Sequence, residues 1–163
     1  MQITPTPVAR IKQPNSRNCF VCGLGNPDGL QLTFYQQAGG QVVAETTVPA
    51  RFQGYPGVVH GGIVAAMLDE VAMRSAMVDD HLRFMVTAKM TLRYRKAIPV
   101  EQPLRLVGRI ERAGGQATTA TAELHLPDGS LGADVEAMMV DYPEPLGGAA
   151  ELEQLGWKVY PEG

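Results

Sequence analysis

Hydrophobic and polar positions alternate along most of this chain, and in one stretch a helical period replaces the alternation. Leu30, Leu32 and Phe34 alternate with Gln31, Thr33 and Tyr35. Ala38-Gly39-Gly40 then precedes a second β-prone run over 41–48, which predicts a hairpin. Residues 49–59 read as a loop rich in Gly and Pro. Over 61–77 the apolar residues Ile63, Val64, Met67, Leu68 and Val71 recur at helical spacing in an Ala-rich context, predicting one long central helix. Strand patterns return at 84–96, 103–111, 117–126 and 131–141. Ala113-Gly114-Gly115 and Pro127-Asp128-Gly129-Ser130 separate the last three, which should form an antiparallel meander. A short helix is expected within 149–155. One helix facing five or six antiparallel strands gives an α+β domain in which the helix covers the sheet's apolar face.

Composition narrows the function classes. With 163 residues, 45% of them hydrophobic, the chain has the length of one domain and too much apolar content for a disordered chain. The organisation expected is a domain over 18–142 with an N-terminal extension over 1–17 and a C-terminal one over 143–163. The longest uncharged stretch, 52–68, contains Pro56 and several glycines, so no membrane span or membrane partner is expected. Residues 1–17 lack the apolar core of a signal peptide, which makes a cytoplasmic location the expectation. The net charge is −3, yet 83–112 holds eight basic side chains and two acidic ones. Such asymmetry marks a surface for an anion, and solvated outer strand faces would explain it equally well. A nucleic-acid binder would be basic overall with aromatics interleaved, and only Tyr94 is on offer, so a small phosphorylated ligand fits better.

The chemistry concentrates in 57–70. His60-Gly61-Gly62 opens the predicted helix, and glycines there let a substrate approach the unpaired N–H groups of the first turn, where the helix dipole favours developing negative charge. That is one way to build an oxyanion hole; a tight loop-to-helix entry is the structural alternative. Glu70 has Arg74 four residues on and reads as a solvated surface pair. Asp69 has Ala65, Ala66, Ala72 and Met73 at three and four residues, so its carboxylate belongs to an apolar face and is a candidate general base or nucleophile. Gly62 and Asp69 lie about 10 Å apart along a helix axis, too far to engage one carbonyl. Two such helices antiparallel across a two-fold axis would solve this, with two equivalent sites per dimer. Arg93, Arg95 and Lys96 crowd together on the strand after the helix, and plain alternation puts Arg93 and Arg95 on one face with Thr87.

These residues resemble the hotdog-fold acyl-CoA thioesterases, in particular the branch of the phenylacetate-pathway type. The match rests on His60-Gly61-Gly62, on Asp69 nine residues after His60, and on Thr87 eighteen residues after Asp69, within about 19–142. The resemblance implies a long helix wrapped by a curved antiparallel sheet, and a homodimer or dimer of dimers with shared sites. It also implies hydrolysis of an acyl-CoA thioester. Gly62, with Gly61 beside it, would polarise the thioester carbonyl. Asp69 of the facing chain would attack or activate water, and Thr87 would position the water or the carboxylate. His60 would hold the loop. Where some members carry an Asn six residues before the His, this chain has Gly54, with Gln53 adjacent as the substitute amide. Arg93 and Arg95 would meet the CoA phosphates.

Asn18-Cys19-Phe20-Val21-Cys22-Gly23 resembles the start of one subgroup of that family. Two thiolates make half a tetrahedral zinc site and no further Cys pair exists, so neither a metal nor a cofactor is expected. Met67, Met73, Met77, Met85 and Met90 read first as adaptable core packing and second as an acyl pocket. A non-catalytic acyl or aryl binder, or a hotdog hydratase or dehydratase, remains as the alternative to hydrolysis.

Overall fold

The computed structural model describes residues 9–144 and 146–162, so residues 1–8 of the expected N-terminal extension, and Pro145 and Gly163 of the C-terminal one, lie outside the described residues. Seven strands occur among the described residues: β1 (Ile11–Lys12), β2 (Tyr35–Gln36), β3 (Val42–Thr47), β4 (Met85–Tyr94), β5 (Pro103–Arg112), β6 (Thr118–His125) and β7 (Leu131–Asp141). Helix α1 (Gly61–Arg74) continues into a 3-10 turn at Ser75–Met77, and α2 is Ala149–Leu155. The strands form one antiparallel sheet in the order β1-β2-β3-β5-β6-β7-β4.

The central helix, the meander and the short terminal helix all stand where the sequence predicts them. Strand alternation explains the core: Leu104, Leu106, Ala120, Ala122, Leu124, Ala133, Val135, Ala137 and Met139 are buried on one side of the sheet. Val64, Met67, Leu68, Val71 and Ala72 of α1 are buried against them. The many alanines on the sheet side bring the helix close. At Gly108 of β5 the approach is closest, since a Cβ there would lie 2.5 Å from the Val71 carbonyl oxygen and 2.7 Å from Ser75 Oγ. Met67, Met77 and Met85 are buried, with Met73 and Met90 partly so, which is core packing. Among the described residues no helix is long and apolar enough to cross a membrane.

Two expectations need correction. The hairpin over 30–48 is shorter than predicted, because the backbone of its first arm bonds elsewhere. The Leu32 N–H donates to Val21 O (2.8 Å), and Phe34 O accepts from Gln13 N–H (2.9 Å). Leu32 and Phe34 are still buried, so the alternation reported burial and not a regular ladder.

The second correction concerns the helix faces. Glu70 and Arg74 are buried, Arg74 completely, and are joined Nε to Oε1 at 2.9 Å, whereas Asp69 is only half-buried. The cover over Glu70 and Arg74 comes from both ends of the chain. Arg74 Nη1 donates to Pro14 O (2.6 Å), and the guanidinium lies 4.6 Å from the Phe34 ring centroid and 4.8 Å from that of Trp157. Asn15 and Lys158 bond through their backbones, which closes the two terminal segments over this end of the helix. Spacing within the helix carries no record of that cover.

Candidate active site

The N-terminus of α1 is built by His60, whose side chain caps it: the Gly62 N–H donates to His60 Nδ1 at 2.9 Å. That acceptor role requires the ring proton, when there is only one, to sit on Nε2. Ile63 and Val64 donate to the His60 carbonyl oxygen. The Gly61 N–H is the first-turn amide without a partner among the described residues, at the positive end of the helix dipole. Gly61 thus presents the free donor in this arrangement, whereas the Gly62 N–H is occupied by His60. The His60 backbone N–H in turn donates to Phe52 O at 3.0 Å.

A cleft of about 590 Å³ opens at this helix end, lined by Tyr55, Val58, His60, Gly61, Val64, Tyr94, Arg95, Lys96 and Ile98, among others. Its size and its apolar lining with a few polar groups suit a small-molecule ligand. Tyr94 ties the end of β4 to the helix, donating its hydroxyl to Gly61 O at 2.6 Å. Spacing along the chain does not mark this contact; its one signal in the sequence is a lone tyrosine ending the strand that follows the helix. Gln53 is exposed, and its Oε1 accepts from the Gly57 N–H (3.1 Å), so its amide closes the 53–57 loop.

Asp69 lies further along the helix, facing β4, where the Thr87 hydroxyl donates to Asp69 Oδ1 at 2.5 Å. The structure thus makes two groups of the expected residues: His60, Gly61 and Gly62 with Arg95 at the cleft, and Asp69 with Thr87 two turns along. Neither Asp69 nor Thr87 lines the cleft at Gly61 of its own chain.

The placement of Arg93 is a correction. A β-bulge at Ala88 interrupts the pairing of β4 with β7, because Thr87 is opposite Met139 and Lys89 is opposite Met138. The extra residue exchanges the faces of everything after it. Met90, Leu92 and Tyr94 therefore continue the helix-facing side begun by Met85 and Thr87, while Lys89, Thr91 and Arg93 face outward. Arg93 sits opposite Asp134 in a charged outer cluster with Arg109, Glu111, Glu123 and Glu136, away from Thr87. Arg95, beyond the end of the strand, borders both this cluster and the cleft and is ion-paired with Asp134. Asp134 of β7 is thus the acid beside both arginines. Lys96 lines the cleft with Arg95.

Residues 56–133, which contain the helix, β4, β5 and β6, match the family model described as the thioesterase superfamily. A crystal structure of a thioesterase superfamily protein superposes with a TM-score of 0.70 at 30% identity over 77% of this chain. The chain spans 61% of that protein's length. Over this segment the chain is similar to proteins of the thioesterase superfamily. Its fold is the hotdog fold, a long helix wrapped by a curved antiparallel sheet, as the sequence resemblance implies. The E. coli PaaI protein from the phenylacetic acid degradation operon has the same fold, with a TM-score of 0.63 at 15% identity over 71% of this chain and 83% of that one. A hypothetical thioesterase protein from Streptococcus pneumoniae, solved with coenzyme A, gives a TM-score of 0.58 at 20% identity over 63% and 81%. No curated protein sequence matches the chain. The His60-Gly61-Gly62 turn and Asp69 both fall inside the matched segment.

Proposed function

We propose that this protein hydrolyses acyl-CoA thioesters at sites shared between two copies of the chain. The observation that carries the reading is the Asp69–Thr87 hydrogen bond on the helix-facing side of β4, two turns from a helix end that offers a free Gly61 N–H. In a dimer related by a two-fold axis, Asp69 of one copy approaches the Gly61 end of the other. The thioester carbonyl oxygen accepts from the Gly61 N–H, joined by Gly62 once His60 releases it, and the dipole of α1 stabilises the oxyanion as it forms. Asp69 then attacks the carbonyl carbon or takes a proton from an attacking water, while the Thr87 hydroxyl fixes the orientation of its carboxylate. β4 is an edge strand of ten residues and is the edge along which two sheets would join. CoA enters as substrate because the cleft at Gly61 is bordered by Arg95 and Lys96, and because the pneumococcal protein of the same fold was solved with CoA.

The test is complementation. Asp69→Asn alone should lower kcat at least about a hundredfold with the fold retained, since the side chains are isosteric. Co-expressed and purified heterodimers of Asp69→Asn with Gly61→Val protomers should recover part of the activity, because one of their two sites then carries neither defect. Inactive heterodimers from verified mixed pairs would count against shared sites. An Asp69→Asn protein of undiminished kcat would remove the aspartate from the mechanism.

A further inference from the structure

The Cys-x-x-Cys segment, which thioester chemistry leaves unused, is folded back onto α1. The turn is tight: the Gly23 N–H reaches Cys19 O at 2.8 Å, and the amides of Val21 and Cys22 both donate to Cys19 Sγ at 3.3 Å. Glycine is required after the second cysteine, since a Cβ at Gly23 would lie 2.3 Å from Cys19 O and 2.5 Å from Cys19 N. Two amides aimed at one sulfur favour its thiolate form. The turn packs on the helix so that Cys19 Sγ, Cys22 Sγ and a carboxylate oxygen of Glu70 all lie within 4.8 Å of one another. Cys22 and Glu70 are buried and Cys19 is half-buried.

We propose that Cys19, Cys22 and Glu70 bind a thiophilic divalent cation of the zinc class, fastening the N-terminal turn to α1. Tetrahedral zinc with sulfur at about 2.3 Å and oxygen at about 2.1 Å puts neighbouring ligand atoms about 3.5–3.8 Å apart, within a small side-chain adjustment of the present cluster. Two sulfurs select against the hard cations magnesium and calcium, and two cysteines in the whole chain are too few for an iron–sulfur cluster. Charge points the same way. With a metal bound, two thiolates and a carboxylate would face the single positive charge of Arg74, and a divalent cation would bring the buried group to neutrality. Arg74 Nε holds Glu70 Oε1, which orients the carboxylate and leaves its other oxygen for the metal. The fourth position falls to a water or to the Ser16 hydroxyl, 3.4 Å from Cys22 Sγ. A recess bordered by Ser16, Asn18, Cys19 and Leu155 gives a path in from solvent.

The experiment uses the full chain, reduced and stripped with a chelator, titrated with Co²⁺ and then with Zn²⁺. A single Co²⁺ per chain should produce thiolate-to-cobalt charge transfer and the visible bands of a tetrahedral site, both abolished by Zn²⁺. Cys19→Ser, at the half-buried position, should lose the charge-transfer intensity of that sulfur and most of the affinity. Glu70→Gln should keep both sulfur bands and bind more than about tenfold more weakly, at least the effect of losing a supporting outer-shell partner. If Glu70→Gln does not fold, the wild-type spectrum and Cys19→Ser decide. No charge-transfer band in the wild type overturns the site, as does full affinity in Cys19→Ser. A Cys19–Cys22 disulfide in the protein from cells, with no metal taken up after reduction, also overturns it in favour of a redox pair.

Discussion

Replacing Arg74 by Met tests the least expected feature of the fold. Methionine keeps much of the stem's apolar volume between Phe34 and Trp157 but leaves Glu70 without its partner and Pro14 O without its donor. Removing one member of a buried ion pair costs about 3–5 kcal/mol, because the surviving charge stays out of water. Had the pair been solvated, as spacing alone implied, the cost would be about 0.3–0.5 kcal/mol. The two readings thus differ about tenfold, and the larger one is a substantial share of a total stability of about 5–15 kcal/mol. The penalty also depends on pH. Burial already raises the Glu70 carboxyl to about 7, against the opposing pull of Arg74, so in acid the orphaned group takes up a proton and the cost shrinks. Urea unfolding of reduced, chelator-treated protein should show a larger loss at about pH 8 than at about pH 6. Should Arg74→Met fail to fold, Arg74→Met combined with Glu70→Gln recovers part of the loss. A cost below about 1 kcal/mol at pH 8 would refute the buried pair.

Three further outcomes are expected. Arg95→Ala should raise KM for acyl-CoA a few-fold with kcat kept, an effect that shrinks at high salt and vanishes on a thioester lacking the nucleotide, whereas Arg93→Ala on the outer face should change neither constant; steady-state kinetics on the two substrates check this. Gly108→Ala should destabilise by about 1–3 kcal/mol in urea melts, because the new Cβ meets the helix backbone and not a side chain that can move aside. Since the folded protein holds the Glu70 proton that the unfolded chain gives up near 4.5, stability of the metal-free protein should fall as pH rises from about 4.5 to about 7; Glu70→Gln should remove that part of the slope.

What the sequence made legible followed from periodicity. The long helix, the meander and the glycine-opened helix start are local patterns, and the pairing of Asp69 with Thr87 followed from the resemblance. What it concealed depended on distant chain. Glu70 and Asp69 are neighbours about 100° apart on a helix, and which of them is covered depends on 13–15 and Trp157, segments remote in sequence. His60 was legible as a loop residue but not as a cap, since histidine is not a usual cap side chain. The Cys19–Cys22 pair lacked a third ligand for the same reason that Glu70 was set on the surface.

Strand β4 spans ten residues against nine of its partner, and Ala88 is the spare. Odd and even numbering therefore change meaning halfway along it: odd positions serve the helix below Ala88, and even positions serve it above. Anyone editing this strand by counting twos from Thr87 would turn its upper half inside out. Excising Ala88 itself would bring counting and geometry back into agreement without reversing a single later side chain. What would be lost is the bend, and with it the angle at which Thr87 is presented to Asp69.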